Sequence, residues 1–269
     1  MKIWGIINIT PDSFVPESRK SGSDAVHYAE EMLSHGADVV DLGAESSRPF
    51  STPLPADEEW SRLEPPLKAL RKSLGDSIFS TQVSVDTWKP EIAQKCLDLG
   101  VGIINDIRAG QTGEMLELIS RYKSTIVLMH SQGTPETMQV DPRYDNVTRE
   151  VFNFLNERSN EALKHGISKD HIIWDFGIGF GKTTEHNLEL LQNIDHFCQG
   201  PYPIMAGVSR KSFIGKLLGL PDPKDRKEAT MILHTYLALH RVSILRVHDI
   251  EETVLVRKLT CSLYPGSLQ

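Results

Sequence analysis

Ile3-Trp4-Gly5-Ile6-Ile7-Asn8-Ile9-Thr10-Pro11-Asp12 is a short apolar run that meets a polar side chain and then passes into a loop. It is rich in β-branched residues and too short for a helix, so Ile3–Ile9 reads as a buried strand. The residues at its end weigh against one large α/β class. A doubly wound open sheet carries a glycine fingerprint directly after its first strand. Here that place holds Asn8-Ile9-Thr10-Pro11-Asp12, with no glycine.

Seven further runs of the same kind lie along the chain: Val39–Leu42, Gln82–Val85, Gly102–Ile104, Thr125–Met129, Ile172–Trp174, Pro203–Ala206 and Ser243–Val247. Between them, apolar residues recur at helical spacing. Val26, Ala29 and Leu33 precede Gly36, and Ile92, Cys96 and Leu99 precede Gly100. Leu188, Leu191 and Ile194 come after Thr183 and Thr184, either of which can serve as N-cap. Trp60 and Met115 read as helix faces packed on the sheet. Eight β–α units in 269 residues give about 34 residues each, which is barrel spacing. The expected fold is therefore an α/β class TIM (β/α)8 barrel, a single domain over residues 1–269 with its active site at the C-terminal ends of the strands. Two long, breaker-rich loops, at about 10–22 and 44–56, come after the first two strands.

Apolar content of 39% and charged content of 24% are ordinary for a globular protein. The net charge of −7 and the absence of a basic stripe argue against a nucleic-acid partner. Cys96, Cys198 and Cys261 have neither disulfide-framework nor zinc spacing. Met1-Lys2 leads straight into a strand-like run, and no apolar stretch is long enough to span a membrane. A cytoplasmic protein without a membrane partner is expected.

Barrel chemistry is built where the strands end. In order, the ends carry Asn8, Asp41, Asp86, Asn105 with Asp106, His130, Asp175, Ser209-Arg210-Lys211, and Arg246 with His248. A lone Asp at a strand end reads as a turn former or helix cap. A polar or ionisable group at all eight ends, mixing carboxylates, amides and cations, does not reduce to capping. Asp86, Asn105 and Asp175 suit a flat, nitrogen-rich heterocycle with several N–H donors. Arg48, Lys211, Arg246 and His248 suit phosphate oxygens, and Asn8 offers a hard oxygen to Mg2+. The combination points to a heterocycle that carries a phosphate leaving group. His130 reads equally as a site residue or as a satisfied strand-end histidine.

Two other motifs fail. Gly177-Ile178-Gly179-Phe180-Gly181-Lys182-Thr183 resembles a P-loop, but the first glycine of that motif would fall on Phe176. It is better read as a glycine-rich turn after a strand that lets a ligand approach the backbone. His234 and His240 lie six residues apart, on different helix faces, and make no zinc pair.

Taken together, the strand-end blocks resemble the dihydropteroate synthase family. They are residues 5–14 (Gly5 to Phe14), Asp41 to Pro49, Val85-Asp86-Thr87, Ile104 to Ile107, Met129-His130 with Gln132 to Pro135, Asp175 with Gly177 to Lys182, Gly207 to Phe213, and Arg246 to Asp249. The resemblance runs in order over nearly the whole chain. It implies condensation of 6-hydroxymethyl-7,8-dihydropterin diphosphate with p-aminobenzoate to give 7,8-dihydropteroate and diphosphate, a step of folate biosynthesis. By the same resemblance, Asp86, Asn105, Asp175 and Lys211 bind the pterin, with Met129, Phe180 and Gly207 lining its pocket. Asn8, Arg246 and His248 match the diphosphate and Mg2+ site, with Asn8 as metal ligand. Ser47, Arg48 and Ser212 match positions near p-aminobenzoate, where sulfonamides compete. Asp86, Asp175, Lys211, Arg246 and His248 are the expected catalytic set, and a homodimer is expected.

The sequence departs from the family pattern in three places. The first loop reads Ser13-Phe14-Val15-Pro16-Glu17-Ser18-Arg19-Lys20 where the family has Ser-Phe-Ser-Asp-Gly-Gly. Phe50 replaces a glycine, and Phe176 replaces the proline of Asp-Pro-Gly, which loosens that turn unless packing holds it. The alternatives are a non-catalytic pterin-binding member, a pterin-dependent methyltransferase module, and a Schiff-base aldolase working through Lys211.

Overall fold

The computed structural model describes residues 1–9, 22–46, 51–134 and 136–264. Its strands are β1 (Lys2–Asn8), β2 (Val39–Gly43), β3 (Val83–Asp86), β4 (Ile103–Asp106), β5 (Thr125–Met129), β6 (Ile172–Asp175), β7 (Ile204–Ala206) and β8 (Ile244–Val247). They pair in parallel in chain order, and β8 returns to β1, so the sheet closes into a barrel with no free edge. The eight expected strands are the eight observed. Several run one or two residues further than their apolar stretch, so Asp86, Asn105, Asp106 and Asp175 belong to the strands themselves.

Helices alternate with the strands and cover the barrel. Thr183 is the N-cap of the helix Thr184–Gln192; its hydroxyl accepts from the His186 backbone N–H, and the His186 side chain accepts from the Thr183 N–H. Gly36 and Gly100 end their helices with φ of +103° and +95°, as their placement after an apolar stripe predicts. Met115, Ile92 and Cys96 have no exposed surface, and Trp60 packs half-buried against the same core. In the third stripe Leu191 and Ile194 are buried and Leu188 half-buried, with Leu190 fully buried beside them, and the helix breaks at Asn193 before Ile194.

Side-chain alternation turns this backbone into a site. Successive residues of a strand point to opposite faces. Trp4, Val39, Ile103, Val127, Ile173, Met205 and Ile244 form one apolar cluster, distinct from the larger core between barrel and helices, and it fills the lower barrel interior. Burying each of these large apolar side chains contributes about 1.5–3 kcal/mol. Two residues further along the same strands, on the same inward face, stand Asp41, Asn105, Met129, Asp175 and Arg246, with Gly207 just past the end of β7. The barrel is thus plugged below by hydrocarbon and lined above by polar groups.

Candidate active site

Strand register brings the upper groups together. Asn8 pairs with Gly43, Gly43 with Asp86, and Asp86 with Asn105, so three predicted site residues stand in one row across four strands. Gly43 leaves room between them. A Cβ there would sit 3.8 Å from Asp86 Oδ2 and 3.9 Å from Asn8 Oδ1. Met129 pairs with Asp175 on the opposite wall.

The row is wired through one cation. Arg246 donates from Nε to Asp41 Oδ2 at 2.7 Å and from Nη2 to Asp86 Oδ2 at 2.8 Å; Nη1 enters neither bond. Asp41 Oδ2 also accepts from Asn105 Nδ2 at 2.9 Å. Burial pushes the Asp86 carboxyl up to about 7; Arg246 opposes this and Asp41 adds to it. Asp41 Oδ1, Ser84 Oγ and Asn105 Oδ1 are buried and have no protein partner among the described residues. Unpaired buried polar atoms are costly, and three gathered on one inward face indicate a place built for hydrogen bonding to something other than the fold.

The far wall is the Gly177–Lys182 turn. Asp175 Oδ1 accepts from the Gly177 N–H at 2.7 Å, and burial raises this carboxyl despite Lys211 nearby. Lys211 reaches in from the β7 side, donates to the Ile178 carbonyl, and lies 4.5 Å from the Phe180 ring centroid. Burial lowers its amine to about 8, with Asp175 working the other way. At Gly207 a Cβ would have no atom within 4 Å, so this wall opens onto space.

The turn's glycines are needed mainly for the protein's own packing. Gly177 and Gly181 have φ of +66° and +62°, and a Cβ on them would lie 1.9 Å from the His130 carbonyl and 2.4 Å from that of Gln132. Lys182 fills the turn from beneath, donating to the Gly177 and Phe180 carbonyls at 2.9 and 3.0 Å and meeting His130 Nδ1 at 2.9 Å. Burial holds His130 down at about 2, so it stays neutral and is the satisfied strand-end histidine. Phe176 does not loosen the turn: it is fully buried, with its ring centroid 5.6 Å from that of Phe197.

Other expected residues stand at the rim. His248 meets Ser209 through Nδ1 and Oγ at 3.0 Å. Ser212 is exposed at the start of the helix Ser212–Leu218. Ser47, Arg48, Phe50 and the first-loop residues Val15 to Lys20, with Glu17 among them, lie outside the described residues.

Residues 4–248 match the family model described as "Pterin binding enzyme". The chain is 41% identical to the dihydropteroate synthase of Haemophilus influenzae over 254 residues, which is 94% of this chain and 90% of that protein. The chain belongs to the dihydropteroate synthase family. Solved structures of dihydropteroate synthases agree. The Yersinia pestis enzyme, in a sulfonamide drug complex, superposes with a TM-score of 0.90 at 33% identity, covering 97% of this chain and 94% of that one. The Thermus thermophilus enzyme, in complex with 4-aminobenzoate, gives 0.85 at 38% identity, covering 98% and 94%.

Asp41 and Ser84 belong to the inward polar layer but were not assigned to dihydropteroate synthase chemistry from the sequence, although Asp41 stood among the strand ends. Asp106, beside Asn105, faces away from the lumen. It accepts from the backbone N–H groups of Arg108 and Gly110, each at 2.7 Å, and organises its own turn.

Proposed function

We propose that this chain condenses 6-hydroxymethyl-7,8-dihydropterin diphosphate with p-aminobenzoate, releasing 7,8-dihydropteroate and diphosphate. The observation that carries the substrate assignment is the inward polar layer, with carboxylates, an unpaired amide oxygen and a buried amine set above an apolar plug. Asp175 and Asn105 Oδ1 accept from the pterin's N–H donors, and Lys211 donates to its acceptors. Met129, Phe180 and Gly207 form the walls. Ser47, Arg48 and Ser212 take p-aminobenzoate, where a sulfonamide competes.

The reaction breaks the C–O bond between the pterin methylene and diphosphate, the electron pair leaving with the oxygen. The p-aminobenzoate nitrogen then bonds to that carbon and sheds a proton. Positive charge that gathers on the pterin methylene is stabilised by the Asp86 and Asp175 carboxylates. Nε and Nη2 of Arg246 hold Asp41 and Asp86, and in this reading Nη1 and His248 donate to the departing phosphate.

The residues fit Mg2+ as a cation carried in with the diphosphate. Such an ion keeps waters and phosphate oxygens and needs only one or two protein oxygens, which Asn8 Oδ1 beside Asp86 supplies. No three His, Cys, Asp or Glu side chains among the described residues form a self-sufficient metal cage. When bound, the ion neutralises charge on the leaving diphosphate.

Ile232, Leu255, Leu259 and Leu263 are exposed apolar side chains on two adjacent helices, which supports a homodimer. No described helix is long and apolar enough to cross a membrane, in keeping with a cytoplasmic enzyme. The test is dihydropteroate formation from the two substrates with Mg2+. Product that depends on both substrates and disappears with EDTA supports the reading; tight pterin binding without product leaves a non-catalytic pterin-binding member.

A further inference from the structure

A buried ionic cluster outside the pterin pocket joins the loop after β2 to the end of β3. Lys89, at the N-cap of the helix Pro90–Asp98, has three ammonium protons and three acceptors. Nζ donates to Glu45 Oε2 and Glu59 Oε2, each at 2.5 Å, and to the Leu54 carbonyl at 2.7 Å. The Lys89, Glu45 and Glu59 side chains are 7%, 9% and 1% exposed. The remaining carboxylate oxygens are also occupied: Thr87 Oγ1 donates to Glu59 Oε1 at 2.7 Å, and Trp88 Nε1 to Glu45 Oε1 at 2.8 Å. Burial works against the ammonium, but the two carboxylates outweigh it and hold the amine above its ordinary value.

The cluster grips both flanks of residues 47–50. On one side stand Glu45 and Ser46; on the other, Ser51 and Leu54. The Leu54 N–H donates to Glu45 Oε2 at 2.7 Å, and Ser51 Oγ donates to the Ser46 carbonyl at 2.6 Å. Trp88 is held in turn by Arg108, whose guanidinium carbon lies 3.4 Å from the ring centroid. The same two strands that present Asp86 and Asn105 to the lumen therefore use the residues just after them, Thr87, Trp88, Lys89 and Arg108, to fix the neighbouring loop. A stabilising patch would serve as well with apolar residues, because a buried ion pair is weak evidence for stability. Its value here is geometric: a tetrahedral three-way contact sets the distance between the loop and the end of β3.

We infer that Lys89, with Glu45 and Glu59, is a positioning residue for the second substrate: it fixes Glu45–Ser46 and Ser51–Leu54, the described segments on either side of residues 47–50, and so governs p-aminobenzoate and sulfonamide affinity separately from pterin affinity. This rests on the proposed assignment of p-aminobenzoate to Ser47 and Arg48.

The test uses Glu45→Gln, which keeps shape and leaves no carboxylate unpaired, and Lys89→Met as the stronger lesion. Wild-type turnover with p-aminobenzoate is measured first; its absence sinks the underlying reading and the inference with it. With turnover in hand, Glu45→Gln is expected to raise KM for p-aminobenzoate and the sulfonamide inhibition constant together by about tenfold, the size expected for weakening one hydrogen bond between charged groups. The dissociation constant of the pterin diphosphate, followed by intrinsic fluorescence, stays within about twofold, since its contacts are untouched. Lys89→Met, if folded, gives the larger change of the same kind. An unchanged KM for p-aminobenzoate in a variant with native melting overturns the inference and leaves the synthase reading standing. Equal loss of pterin and p-aminobenzoate affinity also overturns it, since that marks a purely structural cluster.

Discussion

Arg246 on the last strand donates from Nε to Asp41 on the second at 2.7 Å, closing a charge pair between residues 205 apart in the chain. Asp41 has no exposed surface, and the same guanidinium reaches Asp86 through Nη2 at 2.8 Å. Removing Asp41 leaves Arg246 paired with Asp86, but takes the acceptor from Arg246 Nε and from the Asn105 amide, at about 1–3 kcal/mol for each buried group left unpaired. Asp41→Ala is expected to lose about 3 kcal/mol in urea unfolding and to weaken turnover by letting Arg246 shift. A variant as stable as the wild type would show that Arg246 does not depend on this partner.

Asp86→Asn keeps the shape of the side chain and one acceptor for Arg246 but removes the negative charge. Loss of a group that stabilises developing charge costs about 10²–10³ in kcat. That drop, in a variant that stays folded and still binds pterin diphosphate, is the expected result in steady-state assays. Wild-type turnover by Asp86→Asn would remove the carboxylate from the mechanism.

Eight strands at barrel spacing, and a polar group at the end of each, were legible in the sequence because both are local patterns. Which strand-end groups share the lumen was only partly legible. Asn105 and Asp106 are adjacent and chemically alike, yet one faces the lumen and the other organises a turn; parity along the strand decides it, and the exact strand limits set the parity. Asp41 was visible as a strand end, but its bond to Arg246 depends on barrel closure. The Lys89 cluster was not visible at all. Its members come from three separate segments, and each alone looks like an ordinary charged residue in a loop or near a helix start. The turn at Gly177–Lys182 was legible as glycine-rich, but the reason, close approach by the His130 and Gln132 carbonyls, needed the neighbouring strand in place.

Gly177→Ala should be far more damaging than Gly219→Ala, although both glycines have positive φ, +66° and +69°. At Gly219 nothing lies within 4 Å of the added Cβ, so the cost is backbone strain alone, about 1 kcal/mol. At Gly177 the Cβ would be 1.9 Å from the His130 carbonyl, so the turn carrying Ile178, Phe180 and Lys182 must move. Thermal melting of the two variants, with pterin binding measured alongside, separates them; equal losses would contradict the packing described for this turn.

Lys211 gives a pH signature with opposite signs for stability and binding. Burial lowers its amine from 10.5 to about 8 in the folded protein. The folded chain therefore releases this proton more readily than the unfolded one. The group's contribution to stability rises as pH climbs from about 8 towards 10.5, and the buried charge costs stability below that range. Pterin affinity should run the other way, weakening above about 8 as the cation is lost. Fluorescence titrations across this range should show the step in the wild type and not in Lys211→Met. A flat profile in both would remove the charge of Lys211 from pterin recognition.

Leu259 is 62% exposed, beside Leu255 at 65% on the same helix. If this face joins two copies, Leu259→Glu places a charge in an apolar interface and should yield a monomer in light scattering, with a native circular dichroism spectrum. A wild type that is already monomeric at micromolar concentration would dismiss the homodimer.

The most direct measurement is the stoichiometry of turnover: dihydropteroate, identified by mass, against diphosphate released, with and without a sulfonamide. One dihydropteroate per diphosphate, suppressed by the sulfonamide and absent in Asp175→Asn, is the predicted result. Diphosphate released without dihydropteroate, or pterin bound with neither product formed, would contradict the assignment of this barrel as a working dihydropteroate synthase.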